Sequence, residues 1–86
     1  MNHQQTIEEL AYRSGKQVET CEAVMKAYET YAQHHLKKAR RNNLEGVAQA
    51  VAQATELDAR VCENILTQFF DLLAERISFF NRRGGK

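Results

Sequence analysis

The chain contains no proline and no tryptophan, and only four of its 86 residues are glycine. Two of those glycines, Gly84 and Gly85, stand next to the C-terminal residue. Proline and glycine are the strongest interruptions of regular structure, so their scarcity favours long helices over hairpins and tight turns. Hydrophobic residues make up 43% and charged residues 27%, close to ordinary globular usage. This composition predicts one ordered domain covering residues 1–86.

Long apolar runs are also missing. No stretch of about 18 apolar residues occurs, so we expect no transmembrane helix. The first residues lack the charged and then apolar regions of a secretory signal peptide. We therefore expect a cytoplasmic protein, in which Cys21 and Cys62 are reduced thiols.

Apolar residues recur every three or four positions in four segments, which predicts four helices. Thr6 and Glu9 have the spacing of a capping box at the start of the first, which should end at Gly15. The second is expected over about 18–41, with an apolar stripe that includes Tyr28 and Leu36.

The third helix should begin after Asn43 as its N-cap and stop near Thr55. Asp58 is a suitable N-cap for a fourth helix ending near Phe80, and residues 81–86 are expected to form a flexible basic tail. The fourth helix is apolar around much of its circumference, so it should be covered on several sides. The predicted fold is all-α: two short-long helical hairpins, at about 6–41 and 43–80, related by a pseudo-twofold axis.

A shift of 41 residues superimposes the chain on itself. The matched positions are Ala11 with Ala52, Ser14 with Thr55, Cys21 with Cys62, Glu22 with Glu63, Tyr28 with Phe69, and Leu36 with Ile77. Coinciding apolar positions and breaks indicate a true internal repeat. The alternative is that any two short-long amphipathic helix pairs look alike.

Each half resembles the N-terminal helical hairpin of the HU and integration host factor family, the bacterial histone-like DNA-binding proteins. The resemblance rests on the break and helix start at 55–63, Thr-Glu-Leu-Asp-Ala-Arg-Val-Cys-Glu, followed by Phe69, and on 14–22 followed by Tyr28. It implies a histone-like helical scaffold, which in the family forms a homodimer. The family's β-ribbon arms with a proline wedge have no equivalent here, so its mode of DNA binding is not implied.

Basic residues cluster near the ends of the two long helices. The candidate nucleic-acid-binding residues are His34, Lys37, Lys38, Arg40, Arg41, Arg82 and Arg83. On a helix continuing to position 41, four of them would line one face, and clustered cations can neutralise phosphates. The alternative is that they complement the helix dipole and solubilise an exposed end.

The sequence contains few signs of a catalytic or metal-binding site. No phosphate-binding glycine loop, zinc-protease motif or nucleophile elbow occurs, so we expect no enzyme activity. Cys21 and Cys62 lack the close spacing of zinc ligands and lie on apolar stripes, so we expect buried thiols and neither metal nor cofactor. Phe70, Phe79 and Phe80 are the candidate protein-interface residues, unless the last two fold back onto the first helix.

Two functions therefore compete. The first is a small DNA-associated protein that binds the phosphate backbone with low sequence specificity. The second is a protein-interaction or dimerisation module, with a partner protein or a second copy and no nucleic-acid contact. Neither involves a membrane or a small-molecule substrate.

Overall fold

The computed structural model describes the backbone of residues 3–84 and the side chains of residues 3–76. Within this part of the chain it shows four helices and no strand: α1 (His3–Ser14), α2 (Val18–His34), α3 (Leu44–Thr55) and α4 (Ala59–Gly84). A short 3-10 helix at Arg41–Asn43 leads into α3. The predicted all-α, four-helix fold is confirmed. No helix among the described residues is both long and apolar enough to cross a membrane.

One hydrophobic core joins all four helices, and α4 packs against each of the other three. The core side chains are Ile7, Leu10, Cys21, Val24, Met25, Val47, Ala48, Val51, Cys62, Ile65, Leu66 and Phe70. Cys21 and Cys62 are fully buried free thiols. Their predicted role as small apolar core residues is therefore confirmed.

The start of α1 and the capping of α3 differ from the predictions, whereas α3 begins directly after Asn43 as expected. α1 begins at His3 rather than after Thr6, because residues 3–5 contain no helix breaker; the predicted capping box is wrong. Glu9 instead accepts a bond from Arg13 one turn later. Asn43 stands at the N-cap position of α3, but its side-chain amide donates to the carbonyl of Lys38 and caps nothing.

The predicted start of α4 is correct. The Oδ1 atom of Asp58 accepts a hydrogen bond from the backbone N–H of Arg60 at 2.7 Å, as an N-cap should. The helix then continues for 26 residues to Gly84, about 39 Å. It passes the predicted end at Phe80, since no proline or glycine stands between Phe80 and Gly84.

The end of α2 is the largest departure. The helix stops at His34, not near Arg41, and His35 leaves helical geometry with φ −138° and ψ 57°. The Tyr28 hydroxyl donates to the Ala39 carbonyl at 2.8 Å, and Ala39 is only 6% exposed. Folding this segment back buries Ala39, a tertiary contact that a straight continuation of α2 could not make.

Local hydrogen bonds recur 41 residues apart. The hydroxyls of Ser14 and Thr55 each accept from the backbone N–H two residues later and each lie beside a cysteine sulfur, at 3.7 Å from Cys21 and 3.9 Å from Cys62. Gly15 and Glu56 follow them with positive φ, 73° and 62°. Both short helices therefore end in the same left-handed turn.

Candidate functional site: a groove between α2 and α3

The predicted basic helix face does not form. His34 is the last residue of α2, and Lys37 and Lys38 lie in the turn after it. Arg40 precedes the 3-10 helix, which Arg41 begins. The expectation that four of these side chains share one helical face is wrong, because the chain turns back after His34.

Arg41 is engaged within the molecule. Its guanidinium binds the carboxylate of Asp71 at 2.7 Å and lies over the ring of Phe70, 5.9 Å from the ring centroid. Lys37, Lys38 and Arg40 are exposed. Arg82 and Arg83, the other two predicted phosphate-binding residues, lie outside the described side chains.

Phe70 is a core residue and not an interface residue. It is 9% exposed and packs edge-on against Tyr28, with ring centroids 5.9 Å apart. The prediction that it lies at an exposed interface is wrong, because the returning segment brings Arg41 over its outer side. Phe79 and Phe80 lie outside the described side chains. Leu36, predicted on the apolar stripe of α2, is 73% exposed because it belongs to the turn.

An apolar groove of about 580 Å³ runs between α2 and α3 and is open to solvent. The residues that line it are Ala23, Lys26, Ala27, Thr30, Tyr31, His34, His35, Ala50, Ala54 and Thr55. Four alanines bring the backbones of both helices to its surface. The ring of His35 lies 4.8 Å from that of Tyr31, which gives one end of the groove an aromatic wall.

The region between α1 and α4, here called the filled region, is bridged instead by an ion-paired cluster. The guanidinium of Arg13 donates two hydrogen bonds to the carboxylate of Glu75, both at 2.8 Å, and a third to Glu9 at 2.7 Å. Beside this cluster, the Asn64 amide donates to the carbonyl of Ser14 at 3.1 Å. The paired guanidinium lowers the pKa of Glu75, and the two carboxylates raise that of Arg13.

These two regions correspond under the 41-residue shift. The filling side chains Glu9 and Arg13 fall on Ala50 and Ala54, and Glu75 falls on His34. Asn64 falls on Ala23. The groove is thus open where the other half of the chain places an ion-paired arginine. Sequence reasoning missed this site, although the replacement of charged residues by alanines at matching positions was a visible signal.

Among the described residues, no three potential metal ligands come together. Burial raises the pKa of the Cys21 and Cys62 thiols, while their contacts with Ser14 and Thr55 oppose that shift. Both sulfurs therefore remain protonated and poorly nucleophilic at neutral pH.

Comparison with known proteins adds no relative. The chain matches no protein-family model, no curated protein and no solved structure.

Proposed function

We propose that this protein is a non-enzymatic protein-interaction module whose contact surface is the α2–α3 groove. The observation that carries the proposal is the open apolar trough at the place where the matching half of the chain is filled by its own side chains. Grooves between helices are common receptors for apolar segments of other proteins. Small side chains on both walls allow such a segment to approach closely.

Site-specific photo-crosslinking in the source cells tests this proposal. A photo-reactive amino acid at Thr30, on the groove, should capture a discrete partner; the same group at Gln33, exposed on α2 but outside the groove, should not. Capture should disappear when the groove is filled by Ala50→Glu, Ala54→Arg and His34→Glu together. Equal capture from both positions, or capture that survives filling, would contradict the proposal.

Phosphate-backbone binding is the second candidate function. It is favoured by Lys37, Lys38 and Arg40, which are exposed and which form no ion pair within the part of the chain whose side chains are described. The resemblance to the HU family supports it as well. The three cations lie in a turn, so they could neutralise a few phosphates without inserting a helix into a DNA groove.

Fluorescence anisotropy with a random duplex of about 30 base pairs tests this candidate. Affinity should fall steeply with salt, and Lys37→Glu/Lys38→Glu should reduce the logarithmic salt slope by about 2, roughly one per lost phosphate contact. The matched control is Lys16→Glu/Arg60→Glu, which reverses two exposed cations elsewhere. No binding at low salt, or equal losses in both variants, would rule out this surface.

A further inference from the structure

We propose that the occupant of the α2–α3 groove is an amphipathic helix of a partner protein, with apolar side chains in the trough and carboxylates at its His35 end. This inference rests on the proposed function and specifies the chemistry of the partner. It follows from the shape of the groove, from its comparison with the filled region, and from the charges around it.

The shape favours a helix over a compact ligand. The groove follows α2 from Ala23 to His34, twelve residues or about 18 Å along the helix axis. That length accommodates anchors at positions i, i+4 and i+7 of a docked helix, which span about 10.5 Å. The trough is open along its side, whereas small-molecule sites usually enclose most of their ligand.

The comparison with the filled region argues against a partner that inserts an arginine in the way that Arg13 does. Between α1 and α4, the guanidinium of Arg13 is held by the carboxylates of Glu9 and Glu75. Ala50 and His34 stand at the positions that match those two carboxylates, so an arginine inserted by a partner would find no counter-charge here. An apolar anchor fits the alanine-walled trough without leaving a charge unpaired.

The surrounding charges orient the partner. None of the residues that line the groove carries a carboxylate. Lys37 and Lys38 follow His35 in the exposed turn. A second hollow of about 480 Å³ shares Ala23 and Lys26 with the groove and is lined as well by His3, Glu19, Glu22 and Glu29. Carboxylates therefore stand beside α2 on that side, whereas Lys37 and Lys38 follow the His35 end, so acidic residues of a partner helix fit the end near the turn.

Synthetic helices titrated into the full chain test this inference. The first peptide carries leucines at i, i+4 and i+7 and glutamates at one end; the second is identical with lysines for glutamates; the third has the first composition in scrambled order. Isotope-edited NMR shifts locate each peptide, and anisotropy gives its affinity. The first should bind in the groove at least about tenfold more tightly than the others, a difference of about 1.4 kcal/mol.

Two triple variants show whether the groove itself is responsible. Ala50→Glu/Ala54→Arg/His34→Glu copies the filled region into the groove and should abolish binding of the first peptide. The matched control Gln49→Glu/Gln53→Arg/Gln33→Glu makes the same charge changes at neighbouring exposed positions outside the groove and should bind normally. Circular dichroism checks that both variants remain helical.

Lys37→Glu/Lys38→Glu tests the orientation, because it should weaken the glutamate peptide and strengthen the lysine peptide. Equal binding of both peptides, or shifts outside the groove, would overturn this inference while crosslinking at Thr30 could still uphold the proposed function. If duplex DNA binds the same residues and displaces the peptide, the inference is overturned in favour of a nucleic-acid surface. Absence of both peptide binding and specific crosslinking would remove the proposed function as well.

Discussion

The rings of Tyr28 and Phe69 meet edge-to-face, with centroids 5.5 Å apart and planes inclined by 61°. These two residues also occupy matching positions in the 41-residue shift, one on α2 and one on α4. The two long helices are thus joined by equivalent residues. The tyrosine carries the additional hydroxyl, which holds the carbonyl of Ala39 and with it the segment that returns from α2.

That hydroxyl should be important for the returning segment. Tyr28→Phe keeps the aromatic contacts but removes the donor to Ala39, so we expect a loss of about 1 kcal/mol in the free energy of unfolding. Amide exchange should accelerate mainly in residues 35–41. Tyr12→Phe is the control, since Tyr12 is 85% exposed. Urea denaturation showing equal stability for Tyr28→Phe and the native chain would contradict the assigned bond.

Substitutions in the two left-handed turns should change the stability of the fold in opposite directions. Glu56 has φ 62° where the first half has Gly15 at φ 73°. Left-handed geometry costs a residue with a Cβ roughly 1 kcal/mol, so Glu56→Gly should stabilise the fold by up to about 1 kcal/mol. Gly15→Ala should destabilise it by a similar amount, although no atom lies within 4 Å of the added Cβ. Thermal denaturation that moved both variants in the same direction would contradict this explanation.

The ion pair of Arg13 with Glu75 predicts a pH-dependent contribution to stability. Arg13 lowers the pKa of Glu75 from its ordinary value of 4.5. A lowered folded-state pKa stabilises the fold above the unfolded pKa, and that stability is lost as the pH falls through the folded one. Glu75→Gln should therefore lower the melting temperature at pH 7, and the difference from the native chain should shrink towards pH 3.

Gln53→Ala is a suitable control for this measurement, because Gln53 is exposed on α3 and its side chain does not titrate. Its difference from the native chain should be the same at pH 7 and at pH 3. A Glu75→Gln difference that stayed constant from pH 7 to pH 3 would show that the pair makes no charge-dependent contribution.

The buried thiols predict slow alkylation. Cys21 and Cys62 have no exposed surface, and burial raises the pKa of both thiols. Iodoacetamide at pH 8 should therefore modify the native protein far more slowly than the protein in guanidinium chloride. Glu63→Cys, which places a thiol at an exposed neighbouring position, should react rapidly in the native state. Fast modification of the native chain at Cys62 would contradict its place in the core.

The charged segment after α2 shows where sequence reasoning failed. Residues 35–41 contain no proline or glycine, and local propensity alone extends α2 through them. The observed turn depends on the bond from Tyr28 to Ala39 and on the pairing of Arg41 with Asp71, which is 30 residues away in the chain. Such long-range contacts override a weak local preference, and periodicity does not contain them.

The α2–α3 groove, too, was only partly predictable from the sequence. The alanines at positions 50 and 54 are visible in the sequence, but their meaning depends on which helices become neighbours. Only the packed structure shows that Arg13 fills one contact and that no equivalent side chain fills the other.

The sequence by itself determined the all-α class, the four helices, the breaks at Ser14 and Thr55, the N-cap at Asp58 and the burial of both cysteines. These follow from helical periodicity, from capping chemistry and from the preference of apolar side chains for the core, all of which act over a few residues. The tertiary structure alone decided where α2 ends, that Phe70 is buried beneath Arg41, and that a groove stays open beside α2. Each of these depends on side chains from distant positions competing for the same space.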